Sequence, residues 1–135
     1  MRLLVIGDIV GKPGMERLKK ELPALLKKEK IDFCVVNGEN SANGKGCRTK
    51  EYNEIISYGA DCVTMGNHLY YRKEMASEYI KLERMVIPAN ITNLVGNKNV
   101  IIKKNDVKVG VINLIGRAEM NDNILNSSTN PFEEA

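Results

Sequence analysis

The chain has 135 residues, a length that suits one domain able to bury its own core. Its 43% apolar and 27% charged residues are typical of globular proteins, and its apolar runs are too short to cross a membrane. The net charge of +3 is mildly basic. Because few aromatic residues are interleaved with the lysines, this charge favours a phosphate-bearing small molecule over DNA.

The N-terminus and the cysteines predict a cytoplasmic location. Only Arg2 precedes the first apolar run, and no signal-peptide cleavage site follows. Three cysteines, an odd number, suit a reducing compartment. Cys34 and Cys62 lie in apolar runs and are expected to be buried, whereas Cys47 lies in a polar loop and is a candidate for an exposed thiol.

The first half of the sequence alternates short apolar runs with helical patterns. Residues 3–6 are a continuous apolar run, which predicts a central parallel strand buried on both faces. Apolar residues then recur at helical spacing over residues 14–30, and Pro23 is expected to kink or split that helix. Residues 33–36 predict the second strand.

A second helix and a third strand follow a glycine-rich loop. The loop covers residues 41–48 and leads to a predicted helix over about residues 50–58, which Gly59 is placed to end. Residues 61–65 predict the third strand, and about residues 73–81 the third helix.

The pattern changes in the second half of the sequence. Residues 85–87 predict a short fourth strand. Residues 100–102 and 107–114 flank an Asn-Asp turn at residues 105–106, which is typical of two antiparallel strands. The predicted fold class is therefore α/β, with a mostly parallel sheet, flanking helices and an antiparallel hairpin.

Three predicted strands end in the same way: an apolar run, a glycine, then side chains able to bind a metal. These side chains are Asp8, Glu39, Asn40, Asn67 and His68, and the strand ends lie 31 and 28 residues apart, about one βαβ unit each. Because right-handed crossovers bring strand ends to one rim of an α/β sheet, we expect the five side chains to lie together. Oxygen ligands suit Mn, Fe or Mg, and an imidazole can protonate a leaving alkoxide.

Each of these residues also has a purely structural interpretation. Asp8 is a candidate helix N-cap, and Glu39, Asn40 and Asn67 are typical turn residues. A lone histidine such as His68 is often structural. Their recurrence at three consecutive strand ends favours a site.

Glycine-rich segments raise a nucleotide-binding loop as a further alternative. Residues 7–13 have three residues between the glycines, where a phosphate-binding loop has four, and a proline where the magnesium-binding hydroxyl belongs. Residues 38–46 have five intervening residues and again lack the hydroxyl. Gly7, Gly11 and Gly14 do not have the spacing of a dinucleotide fingerprint. These mismatches disfavour a nucleotide-binding loop.

Taken together, the motifs resemble the YmdB-type family of calcineurin-like metallophosphoesterases. The matching stretches are residues 4–11 (LVIGDIVG), 37–46 (NGENSANGKG), 65–68 (MGNH), 88–90 (PAN) and 112–117 (INLIGR). The resemblance runs with few gaps from Met1 to about Phe132, and it implies half of a metallophosphoesterase α/β sandwich.

The resemblance implies a two-metal site, often assigned iron with Mn or Mg as alternatives, and hydrolysis of 2′,3′-cyclic nucleotides or related phosphodiesters. By the matching motifs, Asp8 would bind the first metal, Glu39 would bridge both, and Asn40 would support the first. Asn67 would bind the second metal, and His68 would donate a proton.

The chain departs from the family in length. Family members are about twice as long and carry further histidine ligands in their second half, whereas no histidine follows His68. We expect residues 1–118 to form a partial metallophosphoesterase domain and residues 119–135 to be a polar tail at the point of truncation. The alternative to an enzyme is an inactive or split N-terminal fragment that binds a phosphate ligand or a partner chain. The candidate partners are a C-terminal half on another chain and a second copy of this one.

Overall fold

The computed structural model describes residues 1–71, 73–75, 77–118, 126 and 128–134. The elements are β1 (Leu3–Ile6), α1 (Gly11–Lys28), β2 (Phe33–Asn37), α2 (Thr49–Ser57), β3 (Cys62–Thr64), β4 (Met85–Val86), β5 (Asn99–Lys104), β6 (Val107–Ile112) and α3 (Pro131–Glu134). The described residues between β3 and β4 form short 3-10 turns at Asn67–Tyr71, Lys73–Met75 and Tyr79–Lys81. The predicted α/β class is confirmed.

The first four strands form one parallel sheet in the order β1-β2-β3-β4, and β5 and β6 form a separate antiparallel pair. Ile6 of β1 pairs with Val36 of β2, and the next residue of β2, Asn37, pairs with Thr64 of β3. The carboxyl ends of β1, β2 and β3 are therefore aligned at one rim.

The parallel sheet is covered by helices on one face and by the hairpin on the other. Because side chains alternate along a strand, Cys34 and Val36 face the helices while Phe33 and Val35 face the hairpin. The helical side is built from Met15, Leu18 and Leu22 of α1 with Tyr52 and Ile55 of α2, and the hairpin side from Val100, Ile102, Val109 and Val111. No helix in the described ranges is long and apolar enough to cross a membrane.

The prediction that β1 is a central strand buried on both faces was wrong. β1 is the edge strand, and only its helix-facing residues, Leu4 and Ile6, pack against the core. Leu3 and Val5 are 50% and 67% exposed, because the hairpin packs over β2, β3 and β4 and stops short of β1.

Two helix predictions were also wrong in detail. Pro23 does not split α1, which runs without a break from Gly11 to Lys28, and a kink at Pro23 stays a prediction. Pro23 lies on the solvent side, and Leu22 beside it is fully buried. Packing of the apolar face therefore offsets the hydrogen bond that Pro23, without a backbone N–H, cannot make. Where the chain is described, 3-10 turns replace the predicted third helix. The hydroxyl of buried Tyr79 donates to the carbonyl of Leu69 at 3.2 Å and joins the last of these turns to the first.

The three thiols are all free and buried. This confirms the prediction for Cys34 and Cys62 and corrects it for Cys47, whose loop folds inward onto the core. Burial raises the pKa of Cys34 to about 11, and that of both Cys47 and Cys62 to about 12. Such thiols are protonated and inert at neutral pH.

The segment predicted as a polar tail lies partly outside the described residues. Of its described part, Ser128 is buried and forms an antiparallel bridge with Ile91. The amide of Thr129 donates to the carbonyl of Asn90 at 2.8 Å. A domain boundary at residue 118 stays a prediction.

An ion pair between Lys104 and Asp61 joins the hairpin to the sheet, in addition to the apolar packing between them. The turn of the hairpin has Asn105 and Asp106 at φ 50° and 62°, as a two-residue type I′ turn requires. Next to this turn, Lys104 Nζ lies 2.7 and 2.6 Å from the two carboxylate oxygens of Asp61. Asp61 is 8% exposed and also accepts the backbone N–H of Cys34 at 2.9 Å.

We expect Lys104→Met to lower the free energy of unfolding by about 2 kcal/mol, because it leaves a buried carboxylate without its cation. The matched control is Lys103→Met, whose lysine pairs with the exposed Asp106, and it should cost less than about 0.5 kcal/mol. Urea denaturation of both variants measures the difference. Equal costs would contradict the role given to this pair.

Candidate active site at the strand ends

The rim formed by the ends of β1, β2 and β3 carries the predicted site residues. The parallel ladder continues to this rim, with the amide of Gly38 donating to Thr64 O at 3.0 Å and that of Met65 to Val86 O at 3.0 Å. The loop after β1 is tied to the end of β2 by Ile9 N–H, which donates to Asn37 O at 3.3 Å. Each loop therefore leaves its strand at a fixed place.

Asn40 joins the first and third strand ends through its side chain. Its Nδ2 donates to Asp8 Oδ2 at 2.6 Å, and its Oδ1 accepts from Nδ1 of His68. Asn40 is 8% exposed, while Asp8 lies at the surface. Its backbone carbonyl accepts the amides of Gly11 at 2.9 Å and Gly44 at 3.0 Å, so two loops hold this residue in place.

Glu39 lies against the third strand end. Its Oε2 accepts the backbone N–H of His68 at 3.3 Å, and its own amide donates to Asn37 Oδ1 at 3.0 Å. Its carboxylate occupies the space beside Gly66, where an added Cβ would lie 2.2 Å from Oε2. The glycine therefore makes room for Glu39.

Asn67 is the predicted residue that the structure leaves apart from the cluster. It begins the 3-10 turn after β3 and is half-buried beside His68. In the part of the chain that the structure describes, no hydrogen bond joins its side chain to the other four. The structure thus brings Asp8, Glu39, Asn40 and His68 together and places Asn67 next to them.

The glycine-rich loop after β2 is anchored by a buried carboxylate at the start of α2. Glu51 accepts the Arg48 side chain at 2.9 and 2.5 Å and the Arg48 amide at 3.2 Å. Burial raises the pKa of Glu51, but the hydrogen bonds and charge of Arg48 outweigh burial, and the net pKa is lowered. An ionised Glu51 thus closes the loop at neutral pH.

The sequence did not point to Tyr71, which contacts His68, or to Lys45, which contacts Tyr71. The Tyr71 ring meets the imidazole edge-on at a centroid distance of 5.1 Å, and Lys45 Nζ lies 4.5 Å from the centre of the Tyr71 ring. The only available signal for Lys45 is its place in the matching stretch 37–46, and Tyr71, which follows His68 by one 3-10 turn, lies outside the matching stretches. Lys45 adds positive charge at the rim.

Asn113 contacts the end of β3, and Asn90 joins the loop after β4 to the segment after β6. The sequence assigned neither residue a role. Asn113 Nδ2 donates to the carbonyl of Met65, at the end of β3. Buried Asn90 donates to Ile115 O at 2.9 Å and accepts the Ile115 amide at 2.9 Å. Both side chains replace ladder bonds where regular strands have ended.

The donor set fits a hard metal ion in kind but is short in number. Asp8 and Glu39 offer carboxylate oxygens, and Asn67 an amide oxygen, which Mg, Mn and Fe accept. In the described ranges, no three His, Cys, Asp or Glu side chains are grouped closely enough to hold a metal ion. A complete site needs ligands beyond these.

Comparison with known proteins gives consistent matches. The model of the family described as YmdB-like protein matches residues 4–135. The 2′,3′-cyclic-nucleotide 2′-phosphodiesterase of Bacillus subtilis is 42% identical over 118 residues, which are 87% of this chain and 45% of that protein.

Two crystal structures share the fold. One, of a hypothetical protein from Thermus thermophilus, has a TM-score of 0.85 at 28% identity. The match covers 99% of this chain and 50% of that protein's chain. The other, of a novel phosphatase from Mycoplasma pneumoniae, has a TM-score of 0.85 at 31% identity and covers 97% and 47%. This chain spans about half the length of the proteins that it matches. With its family model matched over nearly the whole sequence, the chain belongs to the YmdB-like family.

Proposed function

We propose that this chain supplies one half of a metal-dependent phosphodiesterase site that hydrolyses 2′,3′-cyclic nucleotides or related phosphodiesters. The observation that carries the proposal is the cluster of Asp8, Glu39, Asn40 and His68 at one rim of the sheet. The name of the Bacillus subtilis relative supports the substrate class. Three buried free thiols are consistent with a reducing, cytoplasmic location.

In the proposed site, Asp8 would bind the first metal, Glu39 would bridge two metals, Asn40 would support the first and Asn67 would bind the second. Iron is the proposed metal, with Mn or Mg as alternatives. Two such ions, when bound, polarise the phosphodiester and neutralise the charge that develops on it. The remaining ligands come from the other half of the family fold, which the 135 residues do not include.

His68 is the proposed proton donor, and Asn40 orients it. An ionised Asp8 can only accept hydrogen bonds, so the Asn40 amide must turn its nitrogen to Asp8 and its oxygen to His68. That oxygen accepts a hydrogen bond from Nδ1–H, which leaves Nε2 to face the substrate. In its doubly protonated form, His68 would give the proton on Nε2 to the leaving ribose oxygen and keep Nδ1–H bonded to Asn40, which leaves the neutral Nδ1–H imidazole.

A second candidate is a non-catalytic fragment that binds a phosphate ligand or a partner chain. The observation that favours it is the lack of a three-ligand metal cluster among the described residues. Hydrolysis after the chain is combined with the other half of a relative separates the two candidates.

We expect the neutral imidazole of His68 to carry its proton on Nδ1, because Asn40 Oδ1 can only accept. Asn40→Ala should yield a mixture of tautomers and lower the free energy of unfolding by about 1–3 kcal/mol, since it removes a buried polar bridge. Because His68 is the single histidine of the chain, ¹⁵N NMR reads its ring nitrogens without assignment ambiguity. Asn53→Ala, at an exposed position of α2, is the control. An Nε2–H tautomer in the unsubstituted chain would contradict the arrangement.

Gly66→Ala should displace the carboxylate of Glu39 without unfolding the chain, because the atoms that its Cβ meets are the far end of a flexible side chain. The amide signal of His68, which donates to that carboxylate, should move upfield as the hydrogen bond is lost. Gly7→Ala is the matched control, since a Cβ there meets nothing within 4 Å. Equal spectra for the two variants would show that Gly66 does not position Glu39.

The function itself is tested by co-expressing the chain with the part of the Bacillus subtilis relative that has no counterpart in it. We expect hydrolysis of 2′,3′-cyclic AMP with Mn²⁺ and none with a chelator. Glu39→Ala should lower the rate at least about 100-fold through loss of metal, whereas the exposed Glu16→Ala should leave it unchanged. A rate insensitive to Glu39→Ala would eliminate the metal bridge.

A further inference from the structure

An exposed tyrosine lies directly beside the proposed proton donor. Tyr71 ends the 3-10 turn that Asn67 begins, and it lies three positions after His68. Because side chains three positions apart lie on the same face of a 3-10 turn, the turn itself places the phenol ring next to the imidazole. The two rings meet at a centroid distance of 5.1 Å and an interplanar angle of 77°. Tyr71 is nevertheless 53% exposed, so its contact with His68 uses only part of the ring.

A lysine from the glycine-rich loop lies over a face of this ring. Lys45 Nζ is 4.5 Å from the centre of the Tyr71 ring, and Lys45 is itself an exposed residue. It is flanked by Gly44 and Gly46, whose φ angles of 85° and 77° form a tight turn. The position of the ammonium shows that groups at the rim can reach this face of Tyr71.

The contact between Lys45 and the ring is weak enough for a ligand to replace it. An ammonium over an aromatic ring at an exposed site changes an equilibrium constant by a factor of about 2 to 5. A nucleobase stacked on an aromatic side chain changes it by a factor of about 5 to 150. A base therefore displaces the ammonium from Tyr71, whereas a small ligand without a planar π-system does not.

We infer that the face of Tyr71 beneath Lys45 stacks the nucleobase of a 2′,3′-cyclic nucleotide and makes the site prefer nucleotides to cyclic phosphates without a base. This inference rests on the proposed function, because it places the base relative to the oxygen that His68 would protonate. In such a nucleotide, one ribose carries both the base and that oxygen. A base on Tyr71 therefore brings the oxygen to the imidazole of His68, which the Tyr71 ring contacts.

A ring that only packs against His68 makes a different prediction. Its loss would affect cyclic phosphates with and without a base to the same extent, because both would need the same proton donor. A stacking ring, by contrast, acts only on ligands that carry a base. Stacking also requires the ring and not its hydroxyl, so Tyr71→Phe should behave like the unsubstituted chain and Tyr71→Ala should not.

The first measurement is binding to the 135-residue chain with a chelator present, where no hydrolysis is needed. The probes are 2′,3′-cyclic AMP and glycerol cyclic phosphate, which carries the phosphate ring without a base. In NMR titrations, we expect cyclic AMP to bind at least about 5-fold more tightly and to move the Tyr71 ring signals upfield. Tyr71→Phe should keep this preference, and Tyr71→Ala should abolish it. The control is Ile101→Ala, at an exposed position of the hairpin, which should change neither affinity.

The second measurement is hydrolysis by the chain combined with the part of the Bacillus subtilis relative that has no counterpart in it. Tyr71→Ala should lower kcat/KM for cyclic AMP by about 5- to 150-fold, mainly through KM, and leave kcat/KM for glycerol cyclic phosphate unchanged. Because Tyr71 is exposed, the Tyr71→Ala chain should keep its Tm, which excludes misfolding as the cause.

Several results would overturn the inference. These are equal affinities for the two probes, binding of neither probe, Tyr71 ring signals that do not move, a preference for cyclic AMP that survives Tyr71→Ala, or equal losses of kcat/KM for both substrates. A combined protein that hydrolyses neither substrate, while the isolated chain keeps its Tyr71-dependent preference, would contradict the proposed function alone and leave the base-stacking role of Tyr71 standing.

Discussion

The parallel register of β1, β2 and β3 is the constraint on which the site depends. Ile6 pairs with Val36, and Asn37 with Thr64, so the three chains turn away from the sheet at nearly the same level. A one-residue slip of β2 would exchange the faces of Cys34 and Val35 and bury the wrong side chains against helices and hairpin. The apolar packing on both faces therefore also determines where Asp8, Glu39 and His68 lie.

Asn40 links the aligned strand ends, because its side chain contacts both Asp8 and His68. A carboxylate on one side dictates which way its amide points, and the amide oxygen then selects the nitrogen of His68 that carries a proton. Two backbone amides from neighbouring loops hold the Asn40 carbonyl. A side chain fixed at both ends and nearly buried limits the imidazole to one orientation, which general acid catalysis requires.

Much of the fold could be predicted from local patterns, because apolar runs, helical spacing and the Asn105-Asp106 turn each depend on only a few neighbouring residues. The closeness of Asp8, Glu39, Asn40 and His68 could be predicted because strand ends converge in any parallel sheet, while their roles stay a proposal. The exposure of Val5 could not be predicted, since it depends on which element lies beyond β1. The path around Tyr79 and the burial of Cys47 depend likewise on tertiary contacts.

Contacts between distant side chains were the least accessible to sequence reasoning. No sequence pattern indicated that the Glu39 carboxylate fills the space beside Gly66, which only the folded chain shows. The pairing of Lys104 with Asp61 joins residues 43 positions apart with no local signal. Asn113, likewise, stabilises the end of β3 from 48 positions away.

We propose that this rim holds metal when the chain is combined with the other half of the family fold. Anomalous diffraction from crystals of that complex soaked in Mn²⁺ would locate the metal. We expect two peaks within about 2.5 Å of carboxylate oxygens, with Asp8 at one peak and Glu39 shared between both. Manganese peaks remote from Asp8 and Glu39, or a rim without metal in a complex that hydrolyses its substrate, would contradict it.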